Sequence, residues 1–123
     1  MDALRQAIEL HRAGHLAEAE QLYRNVLAVS PEHPNALSML GLLLTGRQPT
    51  EAGRALMERA CQIAPQLTPP HESLGGWLLQ TGQWAAAREC FQRALSYHPS
   101  HAAFLFGLAE AWQQMHQDEA AAQ

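Results

Sequence analysis

Lysine is missing from this 123-residue sequence; all 8 basic residues are arginines. Set against 12 acidic residues they leave a formal charge of −4. No basic stripe is present to follow a phosphate backbone, which argues against nucleic-acid binding. Cysteine is scarce as well. Cys61 and Cys90 sit in helical apolar patterns without a close partner, and they read as small reduced apolar side chains in a reducing compartment, not as a disulfide framework. Apolar runs are short: Met39 to Leu44 includes Gly41 and cannot span a bilayer. Met1-Asp2-Ala3-Leu4-Arg5-Gln6 lacks the apolar region of a secretory signal, so a cytoplasmic protein with no membrane association is expected. Sustained alternation and clusters of β-branched residues are missing, which excludes a sheet. No Gly-rich phosphate loop and no Ser/His/Asp motif occurs, so no catalytic residue is assigned.

What the sequence does contain is helical periodicity. Trp84, Ala87, Phe91, Ala94 and Leu95 fall on one face of a helix that Gly82 precedes and Pro99 ends. The same punctuation recurs: Pro31, Pro65 and Pro99 are spaced 34 residues apart, and a fixed period of that length marks stacked repeats. In chain order, helices are predicted from about Ala3 to Ala13 and from Leu16 to Val29, joined through Gly14. A third opens at Pro34-Asn35, with Leu37, Leu40, Gly41 and Leu44 on one face. Thr45-Gly46-Arg47-Gln48-Pro49 reads as a loop, the least regular turn of the array, before a fourth helix restarts at Thr50-Glu51. Thr68 reads as the cap of a fifth helix, with Pro69 at its first position. Ser100 reads as the cap of a seventh. His116-Gln117-Asp118 reads as a further turn, after which an eighth helix would start at Glu119. Short connections make successive helices antiparallel hairpins.

At this point the sequence resembles the tetratricopeptide repeat family, whose pattern runs through Leu-Gly, an aromatic, Ala-x3-Phe and a closing Pro. The best match is Leu74-Gly75, Leu78, Ala87-x3-Phe91, Ala94 and Pro99. The middle copy is Leu37, Leu40-Gly41, Leu44, Gly53-x3-Met57, Ala60 and Pro65, and the first is Ala7, Leu10, Gly14, Ala19-x3-Tyr23, Val26 and Pro31. A fourth begins with Leu105, Leu108-Ala109 and Trp112 and reaches Ala121. Ala3 and His71 depart from the pattern, which prefers large apolar residues there. The resemblance implies an all-α, right-handed superhelical solenoid of αα-hairpins in one domain over residues 1–123. Its repeats would span about 1–33, 34–67 and 68–101, with a partial repeat over 102–123, as the N-terminal part of a longer protein. Small residues at Ala7, Gly41, Gly75 and Ala109 would admit a neighbouring helix, and Tyr23, Met57 and Phe91 would fill the space between helices.

Members of the family line a concave groove with their first helices, and the resemblance implies a groove here that binds a protein segment. By phase, repeat one supplies Leu4, Arg5, Ile8, His11 and Arg12, and repeat two supplies Asn35, Ser38, Met39, Leu42 and Thr45. Repeat three supplies Glu72, Ser73, Gly76, Leu79 and Gln80. The seventh helix adds Phe106, Glu110, Gln113 and Gln114. This lining is apolar or small with few charges, suited to an amphipathic helix or an extended apolar segment; the competing reading is that Leu4, Ile8 and Leu42 only support the inner face. A clamp of Lys, Asn and Arg that grips acidic C-terminal tails in some relatives is replaced here by Leu4, Ile8, Met39, Pro69 and Ser73. The Asn ladder of sugar-transferring relatives is replaced by Arg5, Met39, Ser73 and Gly107. His11 with His15, and His98 with His101, have helical spacing, but no carboxylate or cysteine completes either pair in sequence, so neither metal nor cofactor is expected. The resulting expectation is a non-enzymatic interaction scaffold. The alternative is an N-terminal targeting or dimerisation segment of a larger bacterial transferase or hydroxylase. Leu105, Leu108 and Trp112 form an apolar face on the seventh helix, for which self-association as a two-fold dimer is expected.

Overall fold

A computed structural model describes residues 2–47 and 51–122 of the chain. Seven α-helices and no strand occur among them. They divide into two compact units, Met1–Ala64 and Pro65–Gln123.

The first unit contains α1 (Ala3–Arg12), α2 (Leu16–Val29), α3 (Pro34–Arg47) and α4 (Glu51–Ile63). Asp2 caps α1, its carboxylate accepting the Leu4 N–H at 3.1 Å, which satisfies one of the donors a helix start leaves free. Gly14 ends the hairpin's first arm at φ 88°. The His15 N–H donates to the Leu10 carbonyl at 2.9 Å and the Gly14 N–H to the His11 carbonyl at 3.1 Å, the paired bonds of a Schellman turn. The core is a cluster of Ala7, Ala19, Tyr23, Leu40 and Leu43. Between α3 and α4 the backbones nearly touch. A Cβ on Gly41 would stand 2.6 Å from the Gly53 carbonyl oxygen, and one on Gly53 would stand 2.8 Å from that of Gly41 and 2.6 Å from Thr45 Cγ2.

That contact corrects the loop expected to begin at Thr45. Thr45 and Gly46 are helical and α3 runs to Arg47. Thr45 is buried, its hydroxyl donates to the Leu42 carbonyl at 2.9 Å, and its methyl lies where α4 comes closest. A glycine inside a helix costs about 1 kcal/mol, which packing of this kind offsets. Gln48, Pro49 and Thr50, where the turn and the helix restart were expected, lie outside the described residues.

The second unit contains α5 (Thr68–Gln80), α6 (Trp84–Tyr97) and α7 (Ala102–Ala122). Thr68 is the first helical residue, not the cap; the cap is Leu67, in extended conformation and without a side-chain bond. Proline is tolerated anywhere in a first turn whose N–H groups have no helical acceptor, so Pro69 leaves the start free to slide one residue earlier. The α5–α6 connection repeats the Schellman turn: Gly82 has φ 75°, and Gln83 and Gly82 donate to Leu78 and Leu79 at 2.9 and 3.2 Å. Ser100 does not cap α7. The His101 carbonyl takes the first helical bond, from Leu105 N–H at 3.1 Å.

Two further expectations fail in α7. No turn occurs at His116-Gln117-Asp118 and no eighth helix begins at Glu119; α7 continues for 21 residues. Those three residues include neither Gly nor Pro, and the Asp118 carboxylate accepts the Trp84 indole N–H at 2.9 Å, which ties the extension to the start of α6. Ala109 does not admit a neighbour either, since it is exposed. Gly107 takes that role, with Phe91 packed directly over it, while a Cβ on Gly75 would meet the same ring at 2.5 Å. The buried face of α7 is Phe104, Gly107 and Ala111, which turns Ala109 outward.

Candidate interaction surfaces

On α1, Leu4 and Ile8 are half-buried and pack against the first unit's core, while Arg5 and Arg12 are exposed. His11 is half-buried between them and the core, its Nδ1 3.1 Å from the Tyr23 hydroxyl and its ring edge-on to the phenol. Tyr23 is fully buried, and burial pushes its phenol up to about 12, with the Arg12 charge acting in the opposite direction. Burial likewise holds the His11 imidazole below its ordinary value. On α3, Met39 and Leu42 are half-buried, and Met39 packs on the same core. Asn35 is half-buried, and Ser38 and Thr45 are buried. Asn35 Oδ1 and Ser38 Oγ have no hydrogen-bond partner among the described residues. The side chains of this row that reach solvent are therefore mostly apolar, flanked by two arginines.

In the second unit, Ser73, Gly76 and Leu79 of α5 are half-buried, and Glu72 and Gln80 are exposed. Nothing would meet a Cβ on Gly76 within 4 Å, so this stretch of helix is open. On α7, Phe106 is 78% exposed, with Glu110 and Gln113 exposed and Gln114 half-buried beside it. The face assigned to self-association lies on the same helix. Leu105 and Trp112 are 47% and 42% exposed, and Leu108 is half-buried.

A cluster that the sequence reading did not assemble gathers around buried Phe104. The His101 ring stacks on it at 4.1 Å between centroids, and His71 and His98 approach at 6.1 and 6.4 Å. His71 Nε2–H donates to the Pro65 carbonyl at 2.8 Å and His98 Nε2–H to the Gln66 carbonyl at 2.6 Å. His101 Nε2 lies 3.4 Å from the Glu72 carboxylate. Burial lowers the pKa of His71, helped by the charges of Arg93 and His98 and opposed by the bond to Pro65. The departure at His71 signalled this in the sequence: a polar residue at a core position must find a partner. Two imidazoles spend a nitrogen on backbone carbonyls, which makes the cluster a clasp for residues 65–66 rather than a ligand set. Among the described residues no group of three or more His, Cys, Asp or Glu is placed to hold a metal ion, and no helix is long and apolar enough to cross a membrane.

Comparison with known proteins places this geometry. Tetratricopeptide repeat protein 7A of Homo sapiens is 30% identical over 95 residues, covering 77% of this chain and 11% of that protein. The chain thus spans only a small part of the curated relatives it matches. Among solved structures, the Sgt2 repeat domain from Aspergillus fumigatus superimposes with a TM-score of 0.86 at 16% identity, over 98% of this chain and 82% of that one. The first repeat domain of Spaghetti (RPAP3), solved bound to an HSP90 peptide of sequence SRMEEVD, gives 0.81 at 13% identity over 92% of each chain. An O-GlcNAc transferase mutant from Thermobaculum terrenum gives 0.77 at 28% identity, over 89% of this chain and 21% of that one. These likenesses establish an all-α solenoid of helical hairpins. The tetratricopeptide repeat model matches residues 4–68 and 78–123, and the chain belongs to the tetratricopeptide repeat family.

Proposed function

We propose that this chain is a cytoplasmic, non-enzymatic interaction module that takes an apolar segment of a protein partner, an amphipathic helix or an extended strand, on the first helices of its hairpins. The observation that carries this reading is an apolar side chain left at least partly open on each of the first helices: Ile8 on α1, Leu42 on α3, Leu79 on α5 and Phe106 on α7. Each unit offers its own share of this lining. A structural neighbour solved with a bound peptide supports the mode. The acidic end of that peptide is a poor guide to the ligand here, because Leu4, Ile8, Met39, Pro69 and Ser73 supply none of the cationic groups that carboxylates require. Leu42→Arg and Leu79→Glu place a charge in the lining without emptying a core site. Titration of a peptide selected against the wild-type chain should lose at least tenfold in affinity with either variant, with far-UV circular dichroism unchanged. Unaltered affinity in both would overturn the reading.

A second reading is favoured by the likeness to part of a sugar transferase: the chain would be the targeting or dimerisation segment of a larger enzyme. Sequencing the reading frame beyond Gln123 decides it, since a catalytic domain there is required.

A further inference from the structure

In the first unit, arginines find carboxylates everywhere except along one edge of α1. Arg24, Arg54 and Arg59 pair with Glu20, Glu58 and Glu32 at 3.0, 2.8 and 3.0 Å. Arg5 and Arg12 are exposed and form no ion pair among the described residues, although Glu9 stands between them on the same helix. They flank Ile8 at the i, i+3, i+7 spacing of one helix face. The end of α1 does not engage Arg12 either, because the Glu9, Leu10 and His11 carbonyls already accept the N–H groups of Ala13, His15 and Gly14. His11 adds a donor beside it. Tyr23 is wholly buried, and its hydroxyl has one hydrogen-bond partner among the described residues, His11 Nδ1 at 3.1 Å. A buried hydroxyl needs an acceptor for its proton, so the Tyr23 O–H donates to Nδ1 and the half-buried imidazole carries its own proton on Nε2. That Nε2–H makes no hydrogen bond among the described residues. The Arg12 charge is felt at the Tyr23 phenol, so the guanidinium lies near this pair. Arg12 and His11 thus present N–H donors and no acceptor.

We propose that this edge of the lining receives a glutamate or aspartate side chain of the partner segment, beside the apolar residue that docks on Ile8, with Arg12 and His11 Nε2–H on its carboxylate. The proposal rests on the groove reading above and narrows it from an apolar segment to one flanked by acid. The charge follows from complementarity: an ionised carboxylate only accepts hydrogen bonds, and a guanidinium forms its strongest contacts with it. Arg5, on the same face, adds to the positive potential that draws such a segment in. The carboxylate belongs to a side chain within the segment and not to a chain end. Leu4, Ile8 and Met39 leave the floor of the row apolar, so the segment keeps its apolar residues over that floor while the acid reaches sideways to the edge. Tyr23 does not touch the partner; it is a positioning residue that fixes which nitrogen of His11 carries the proton.

The probe is a display library of random twelve-residue segments, each embedded in chain on both sides so that no free carboxyl terminus is offered. It is selected in parallel on the whole wild-type chain and on Arg12→Gln, which alters an exposed site and leaves the fold alone. The wild type should enrich segments with Glu or Asp close to an apolar residue, and Arg12→Gln should enrich the apolar residue without the acid. Apolar enrichment without acid on the wild type would overturn this proposal and leave the groove reading in place, whereas no apolar enrichment would overturn both. The consensus segment is then made as a fluorescent peptide with both ends blocked. Exchange of its acid for Gln should weaken binding to the wild type about tenfold in fluorescence anisotropy, as expected for one charged hydrogen bond, and leave binding to Arg12→Gln unchanged. Equal loss on both chains would overturn the contact. Long-range 1H–15N correlation spectra read the part of His11 directly: the wild-type ring should be protonated at Nε2 alone, and Tyr23→Phe should release it to both tautomers. A wild-type proton on Nδ1 would overturn the assignment of His11.

Discussion

Two imidazoles shielded from water, His11 in part and His71 almost wholly, make the stability of this chain sensitive to acid. His11 and His71 are held below the ordinary value of 6.5, chiefly by burial. Between the folded pKa and 6.5 the unfolded chain binds protons that the folded chain refuses, so stability rises with pH across that interval. The contribution is complete above 6.5, is lost progressively as the pH falls through the interval, and is gone below the folded pKa. Urea midpoints measured from pH 8 to pH 5 should therefore fall on acidification below about 6.5. His71→Leu should flatten the decline while lowering the midpoint at neutral pH, because the Pro65 carbonyl loses its donor at 2.8 Å. A midpoint independent of pH in the wild type would show that these rings are open to water.

At the scale of the element, the two Schellman turns are where the chain is most strictly specified. Gly14 and Gly82 adopt φ 88° and 75°, a region that costs a residue with a Cβ about 1–2 kcal/mol. Gly82→Ala should reduce stability by about that amount, with an unchanged dependence on urea concentration, and Gly82→Asn should lose less. These turns were legible in the sequence because their cause is local. The helix ends that were misread have causes that are not. Thr45 and Gly46 look like a loop until α4 is seen packed on Thr45. Likewise His116-Gln117-Asp118 looks like a turn until Trp84, 34 residues earlier, is seen bonded to Asp118. Residues that favour turns state a local preference, and tertiary contact overrules it.

Across the whole molecule, the fold was readable because the period of 34 repeats a pattern of small and bulky residues that only stacked helical hairpins satisfy. The candidate surfaces were less so. Of the residues nominated by phase, Leu42 and Leu79 are half-buried and Phe106 is exposed, whereas Ser38 is wholly buried, since phase cannot tell how close the next helix comes. The clasp on Phe104 was legible only in fragments, as the polar residue at the core position of His71 and the helical spacing of His98 and His101, because nothing local in sequence brings His71 to the other two.

The Gly41–Gly53 crossing sets a limit on how freely such a chain can be recombined. Repeats of equal length invite the view that any second helix can be transplanted onto any first. Moving the α6 sequence into the place of α4 keeps length and phase, but it replaces Gly53 with Ala87 and Met57 with Phe91. The new methyl would fall 2.6 Å from Thr45 Cγ2, and the benzyl ring would have to enter where Met57 Cγ already lies 2.7 Å from the Cβ position of Gly41. Such a chimera should melt well below the parent, and restoring glycine at position 53 alone should recover part of the loss. Modularity in this chain therefore resides in the hairpin, whose two helices are matched to each other and are inherited as a pair.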